Sequence, residues 1–286
     1  MLSASMEAVR ALVARSGATG AGARWLEVFT VFALFTALEA LIIVPPSSTV
    51  LSRVWRRLLP GDRAKDPQAV DRAVRGAALR FTGLIHHLVV LVVSIAVLRQ
   101  PGGWALPLTW NSKLSEDLLL FSSGYFMHDL YVSAREWLAG HEVFSFVYHG
   151  FLCGTLFSLA YVHSVWEFYC AMFLLWESST PFVQGKWYLD QMGMRNHAIY
   201  LVNGLCLIGV FFACRIAWGT LAGYHLLSAT SRALAGELPN AAPAWFTHAV
   251  RVLMPTLYLL NWWWFVKMMK FAIKALGGGK KKAKAG

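Results

Sequence analysis

The sequence predicts an all-α fold, a polytopic membrane helical bundle of about seven transmembrane helices. Three observations predict it. Hydrophobic residues make up 57% of the 286 positions and charged residues only 14%, against about 25% charged in a soluble domain. The apolar residues come in blocks, several of them near the roughly 20 residues that cross a bilayer. The basic residues, which leave a net charge of +11, sit between and after those blocks, as they do in a chain that orients itself in a membrane. Together these exclude a soluble enzyme, a disordered chain and a conventional nucleic-acid binder. The alternating period of a membrane β-barrel is absent.

The elements follow in order. Residues 1–24 lack the apolar core of a signal peptide and read as an amphipathic surface segment carrying Arg10, Arg15 and Arg24. The first span runs from about Trp25 to Val44 and stops at Pro45-Pro46. The second runs from about Phe81 to Leu98, before Pro101-Gly102-Gly103, and the third from Leu114 to Val132. Val143–Tyr161 and Val165–Phe182 form a nearly continuous fourth and fifth pair with a tight turn near His163-Ser164. The sixth is about His197–Thr220 and the seventh about Ala244–Ile273. Residues 25–275 thus form one membrane domain, and 276–286 a polybasic tail.

With seven spans, one face collects 18 of the 26 lysines and arginines and the other 6. That bias predicts a cytosolic C-terminus and a lumenal or external N-terminus. Lys282 and Lys284 end the chain in a Lys-x-Lys-x-x pattern like a cytosolic retrieval signal to the endoplasmic reticulum, or in a plain polybasic tail. The segment Arg53–Arg80 alternates basic and apolar residues and reads either as an interfacial helix on anionic lipid or as an ordinary positive loop.

Polar side chains inside a span are costly and usually face the bundle interior. Here they are Glu39, His86, His87, His128, Asp129, His149, His163, Glu167, Glu177, Asn203, Arg215 and Asn261. Every span contributes at least one. A Glu177–Arg215 pair would neutralise both charges, and the imidazoles suit acid, base or nucleophile roles near neutral pH. Glu167 reads as surface-exposed beside Trp166, and His163 as a turn residue. The four cysteines, Cys153, Cys170, Cys206 and Cys214, read as buried free thiols. No His/Cys spacing fits a metal site, and no Gly-x-Ser-x-Gly is present. Ser178-Ser179-Thr180-Pro181 marks a kink or helix end, since proline breaks the helical ladder.

Leu175-Trp176-Glu177-Ser178-Ser179-Thr180-Pro181-Phe182, continuing through Lys186-Trp187-Tyr188, resembles the signature of the TLC-domain family, which takes in TRAM, the ceramide synthases and CLN-type proteins. Gly124-Tyr125-Phe126-Met127-His128-Asp129-Leu130, Val202-Asn203-Gly204, Phe211–Ile216 and Asn261-Trp262-Trp263-Trp264-Phe265 resemble further family helices. The resemblance implies a helical membrane barrel around a lipid-accessible cavity, in the endoplasmic reticulum or a related membrane. It lies nearer the TLC-domain-containing transmembrane proteins than the ceramide synthases. In the latter a histidine pair and acidic residues transfer an acyl group from acyl-CoA. Here the matching pair is Tyr148-His149, one histidine short, and paired aspartates are lacking.

Three functions follow as expectations. The first is lipid homeostasis through a lipid-binding cavity lined by His86, His87, His128, His163, Asn203 and Arg215. The second is an acyltransferase, with acyl-CoA as co-substrate, His149 as nucleophile or base and Asp129 or Glu177 orienting it. The third is a trafficking or translocation partner of other membrane proteins. The expected partners are membrane lipids and no nucleic acid. No cofactor and no metal is expected.

Overall fold

The computed structural model describes residues 1–45, 47–141 and 143–283, with the side chains of Ser47 and of residues from 275 onward outside the description. The side chains of the polybasic tail, and residues 284–286 of its Lys-x-Lys-x-x end, therefore lie outside the described residues. Those described fold into α1 (Leu2–Ala14), α2 (Gly20–Ile43), α3 (Ser47–Leu58), α4 (Pro67–Leu98), α5 (Lys113–Leu138), α6 (Phe144–His163), α7 (Glu167–Leu174), α8 (Thr180–Gln191), α9 (Ala198–Phe211), α10 (Trp218–Leu234) and α11 (Ala244–Ala283). Among them there is no strand.

Among the described residues four stretches are long and apolar enough to cross a membrane: α2, α4, α6 and the continuous α9–α10 rod. Their outer faces carry exposed Leu34, Val92, Phe151 and Leu205. Apolar surface of this extent on a single chain marks contact with lipid. Helix α5, read as the third span, holds the centre and packs against α2, α4 and α6. Its many buried polar residues, including Ser115, Asp117, Ser122, Ser123 and His128, keep its hydropathy low although it is enclosed. At Gly150 a Cβ would come within 2.9 Å of the Leu130 backbone, so the close approach of α5 and α6 there depends on that position having no side chain.

Helix α4 starts at Pro67, well before the expected Phe81. Asp66 caps it, accepting from the Gln68 amide at 2.9 Å, and Pro67 takes the first turn, where no amide donor is needed. Ala69, Val70, Ala73, Val74 and Ala78 are buried at helical spacing, a periodicity that the intervening arginines hide from average hydropathy. Trp55, Leu59, Val70, Ala73 and Val74 form a small core of their own with Trp187 and Tyr188. A Cβ at Gly76 would meet the Trp187 ring at 2.4 Å, so the tryptophan seats where the helix is bare.

The expected fifth span is not one helix. Ser164 and Trp166 adopt left-handed backbone (φ 53° and 59°) after α6. Helix α7 then runs eight residues, tightens into a 3₁₀ turn over Leu175–Ser179, and α8 begins at Thr180 with Pro181 in its first turn. The sixth span continues past Thr220 to Leu234 through a π-helical turn at Phe212–Ala217. Glu167, read as exposed, is 3% exposed, and its carboxylate accepts from Ser115 Oγ at 2.5 Å. The capping box of α5, Ser112 with Ser115, places that hydroxyl.

Candidate functional site

The largest group within the interior polar set centres on Glu177. The 3₁₀ turn Leu175–Ser179 leaves the helical ladder and turns Glu177 inward, 6% exposed. Its Oε2 lies 3.0 Å from His87 Nδ1 of α4 and accepts from Thr180 Oγ1 at 2.7 Å. The tautomer with its proton on Nδ1 of His87 is the one that satisfies this carboxylate. The other oxygen, Oε1, lies 3.6 Å from Arg215 Nη2. A buried carboxylate needs such partners, because isolated it costs many kcal/mol.

Arg215 sits in the π turn and is itself 5% exposed. Its guanidinium donates from Nε to Ser179 Oγ (3.0 Å), from Nη1 to Asn261 Oδ1 (3.2 Å) and from Nη2 to Thr180 Oγ1 (3.2 Å). One arginine thus ties the rod α9–α10 to the 3₁₀ turn and to α11. A π turn shifts the side-chain register locally and recurs at functional sites. His86 is fully buried behind His87, 3.4 Å between their Nδ1 atoms, and stacks flat on the Tyr125 ring at 3.7 Å.

His149 approaches from α6. Its Nε2 lies 3.6 Å from Cys153 Sγ, one turn on, and its ring tilts against Trp264 of α11. His149, Cys153 and Glu177 help line a narrow slot of about 60 Å³. The remaining walls are apolar and aromatic: Leu156 and Phe157 of α6, Phe173 of α7, Leu226 of α10, Val250 and Leu257 of α11. Asp129 of α5 stands at the edge, its Oδ2 3.4 Å from where a Cβ of Gly150 would be.

The other expected residues lie elsewhere. His128 turns to α2, with Nε2 3.6 Å from Glu39 and Nδ1 3.2 Å from Thr36 Oγ1. His163 is exposed at the end of α6, its ring edge-on to Trp245. Asn203 donates to the Phe182 carbonyl at 2.9 Å and fastens α9 to α8. Of the six residues expected around the cavity, His87 and Arg215 meet at Glu177 with His86 behind His87, and His128, His163 and Asn203 do not; none of the six lines the slot. Ser179, Thr180 and Asn261 complete the group without having been singled out for it. Their signal was present in the hydroxyl run before Pro181 and in an asparagine within an apolar block.

The family model described as the TLC domain matches residues 78–270. The whole Glu177 group falls inside that range. The chain is 29% identical over 157 residues to an uncharacterized TLC domain-containing protein of Saccharomyces cerevisiae, covering 51% of this chain and 48% of that one. It is 27% identical over 201 residues to another from Schizosaccharomyces pombe, covering 70% and 66%. It is 26% identical over 215 residues to TLC domain-containing protein 4-B of Danio rerio, covering 72% and 77%. The chain thus spans about half to two thirds of the length of the two yeast relatives.

Proposed function

Because the chain belongs to the TLC domain family and is an integral membrane protein, we propose that it binds a membrane lipid in the slot and acts in lipid homeostasis. The observation that carries this reading is the slot itself, lined mostly by apolar and aromatic side chains with Glu177, His149 and Cys153 among them. The apolar walls match an acyl chain in chemistry though not yet in volume, and a polar group at its end would meet hydrogen-bonding partners instead of bare hydrocarbon. The slot is narrow, so occupancy requires α11 to yield away from α7.

The setting we propose is the endoplasmic reticulum, with seven spans, a cytosolic C-terminus and a lumenal N-terminus. The 18-to-6 distribution of basic residues supports the orientation. In this arrangement the fifth span is Val165–Phe182, broken by the 3₁₀ turn before Pro181, a discontinuity tolerated where protein and not lipid surrounds it.

The test is native mass spectrometry of the full chain released from mild detergent. Retained lipid is expected, reduced at least about tenfold, roughly 1.4 kcal/mol in binding, in Leu226→Trp and Leu257→Trp, which fill the slot. Lipid retained equally by both variants would overturn the reading.

A second reading is favoured by one observation, the placement of His149 in the lining of the slot. As an acyltransferase, His149 would take the proton from an acceptor hydroxyl or amine as that group attacks an acyl-CoA thioester, with CoA thiolate leaving. Glu177 and Asp129 would orient and balance the imidazole. Incubation with acyl-CoA and lipid acceptors is expected to release CoA, lost in His149→Ala. Equal turnover in that variant would exclude the mechanism. A role as a trafficking partner would rest on surface loops instead of the slot.

A further inference from the structure

Helix α3 carries more apolar surface than the protein covers. At about 100° per residue, Val50, Val54, Leu58, Leu51, Trp55 and Leu59 succeed one another around an arc of about 180°. The inner half is covered: Trp55 and Leu59 are buried against Val70 and Val74 of α4 and against Trp187, with Leu51 packed beside them. The outer half is open, with Val50 57%, Val54 43% and Leu58 41% exposed. Arg53, Arg56 and Arg57 occupy the rest of the circumference, all exposed.

Those three arginines differ from their neighbours. Lys65, Arg72 and Arg75 are paired with Asp62, Asp66 and Asp71. Helix α3 contains no acid, and among the described residues no carboxylate pairs with its arginines. The helix also starts within four residues of the end of α2, which is long and apolar enough to cross a membrane. Its open apolar stripe is therefore held at the bilayer boundary by covalent connection, where lipid is the surface in reach.

We propose that α3 is an in-plane helix that binds anionic lipid. Val50, Val54 and Leu58 enter the acyl boundary, and Arg53, Arg56 and Arg57 hold negatively charged headgroups. The docking of Trp55 against Trp187 and Tyr188 fixes which side of the helix faces lipid: the tyrosine ring lies 7° from parallel to the Trp55 indole at 6.1 Å, and Trp187 meets it edge-on at 5.8 Å. Helix α3 lies outside residues 78–270, the part matched by the family model. This inference stands apart from the slot and from any reaction there.

The test uses the full chain in a Cys206→Ser background, with a bimane label at Val54→Cys or Ser52→Cys, in vesicles of phosphatidylcholine with or without one third phosphatidylglycerol. Lipids brominated on the acyl chain are expected to quench the label at 54 and not at 52, and aqueous iodide the reverse. Phosphatidylglycerol is expected to raise quenching at 54 about twofold, an increment abolished by salt and by the combined Arg53→Gln, Arg56→Gln and Arg57→Gln variant. That variant should keep the wild-type Tm, because these arginines are exposed and form no ion pair or side-chain hydrogen bond among the described residues. Three results would each overturn the proposal: equal iodide access at both positions, quenching at 54 indifferent to anionic lipid and to the arginines, or a label at 54 shielded only at high protein-to-lipid ratio, which indicates a second copy.

Discussion

Glu177 and Glu39 are both buried carboxylates, and each has one histidine and one arginine beside it. At Glu177 the partners are His87 at 3.0 Å and Arg215 at 3.6 Å. At Glu39 they are His128 at 3.6 Å and Arg135 at 3.0 Å. The difference lies in what surrounds each set. Arg215 is enclosed and bonded to Ser179, Thr180 and Asn261, and the carboxylate it faces opens onto the slot. The Arg135 side chain is 39% exposed, and Oε2 of Glu39 is buried without a hydrogen-bond partner. Identical residue types therefore build an enclosed, multiply bonded interior centre in one place and a tether between α2 and α5 in another. What separates them is whether water can replace the arginine.

The contrast gives an order of effects, readable as Tm in detergent. Arg215→Gln should be the most damaging, at about 3–5 kcal/mol, because it strands an enclosed carboxylate and unties α11 from the 3₁₀ turn. Thr180→Val removes a hydroxyl donor to a charged group and should cost about 1.5–3 kcal/mol. Arg135→Gln should cost about 1 kcal/mol or less, since its head already meets solvent and screening discounts it. An Arg135→Gln loss equal to that of Arg215→Gln would erase the distinction between the two centres.

Asp190 of α8, outside the long apolar helices, provides the weakest member of the series. Partial burial works against its charge, but Lys186 Nζ and Arg195 Nε, each at 2.6 Å, outweigh it and hold the carboxyl below its ordinary value of 3.8. The stabilisation is complete above that ordinary value and is lost as pH falls through the lowered one. Wild-type Tm should therefore show a small extra decline below about pH 4, on the order of 0.5 kcal/mol, that Asp190→Asn lacks. A decline of the same size in the variant would assign it to other carboxylates.

Much of this was legible beforehand. The apolar blocks locate the helices, and the Glu177–Pro181 run locates the break that turns the key acid inward. The pairing of Glu177 with Arg215 follows from the cost of leaving either charge alone. What one chain's sequence does not carry is the rotational phase of one helix against another. His86 and His87 are adjacent in sequence yet about 100° apart around α4, so one stacks on Tyr125 and the other reaches Glu177. His128 lies on the face of α5 that meets α2, and only packing decides that. The early start of α4 was available as buried-alanine spacing, but averaging hydropathy over Arg72, Arg75 and Arg80 conceals it.

The π turn at Phe212–Ala217 has a consequence for how this chain tolerates change in length. A π turn holds one residue more than the α-helical ladder around it, like a stitch added to a row. Deleting Phe212 would let the rod close into an uninterrupted α-helix, with better local geometry and no gap to fill. Everything on one side would then rotate by about 100° against the other. Either Arg215 and Trp218 would together leave Asn261, the hydroxyls of Ser179 and Thr180 and the Met172 carbonyl, or Asn203 of α9, on the other side of the turn, would lose its bond to the Phe182 carbonyl. The irregular turn is what lets a single rod keep both appointments, so a shortened, more regular helix at this point should yield a less stable protein.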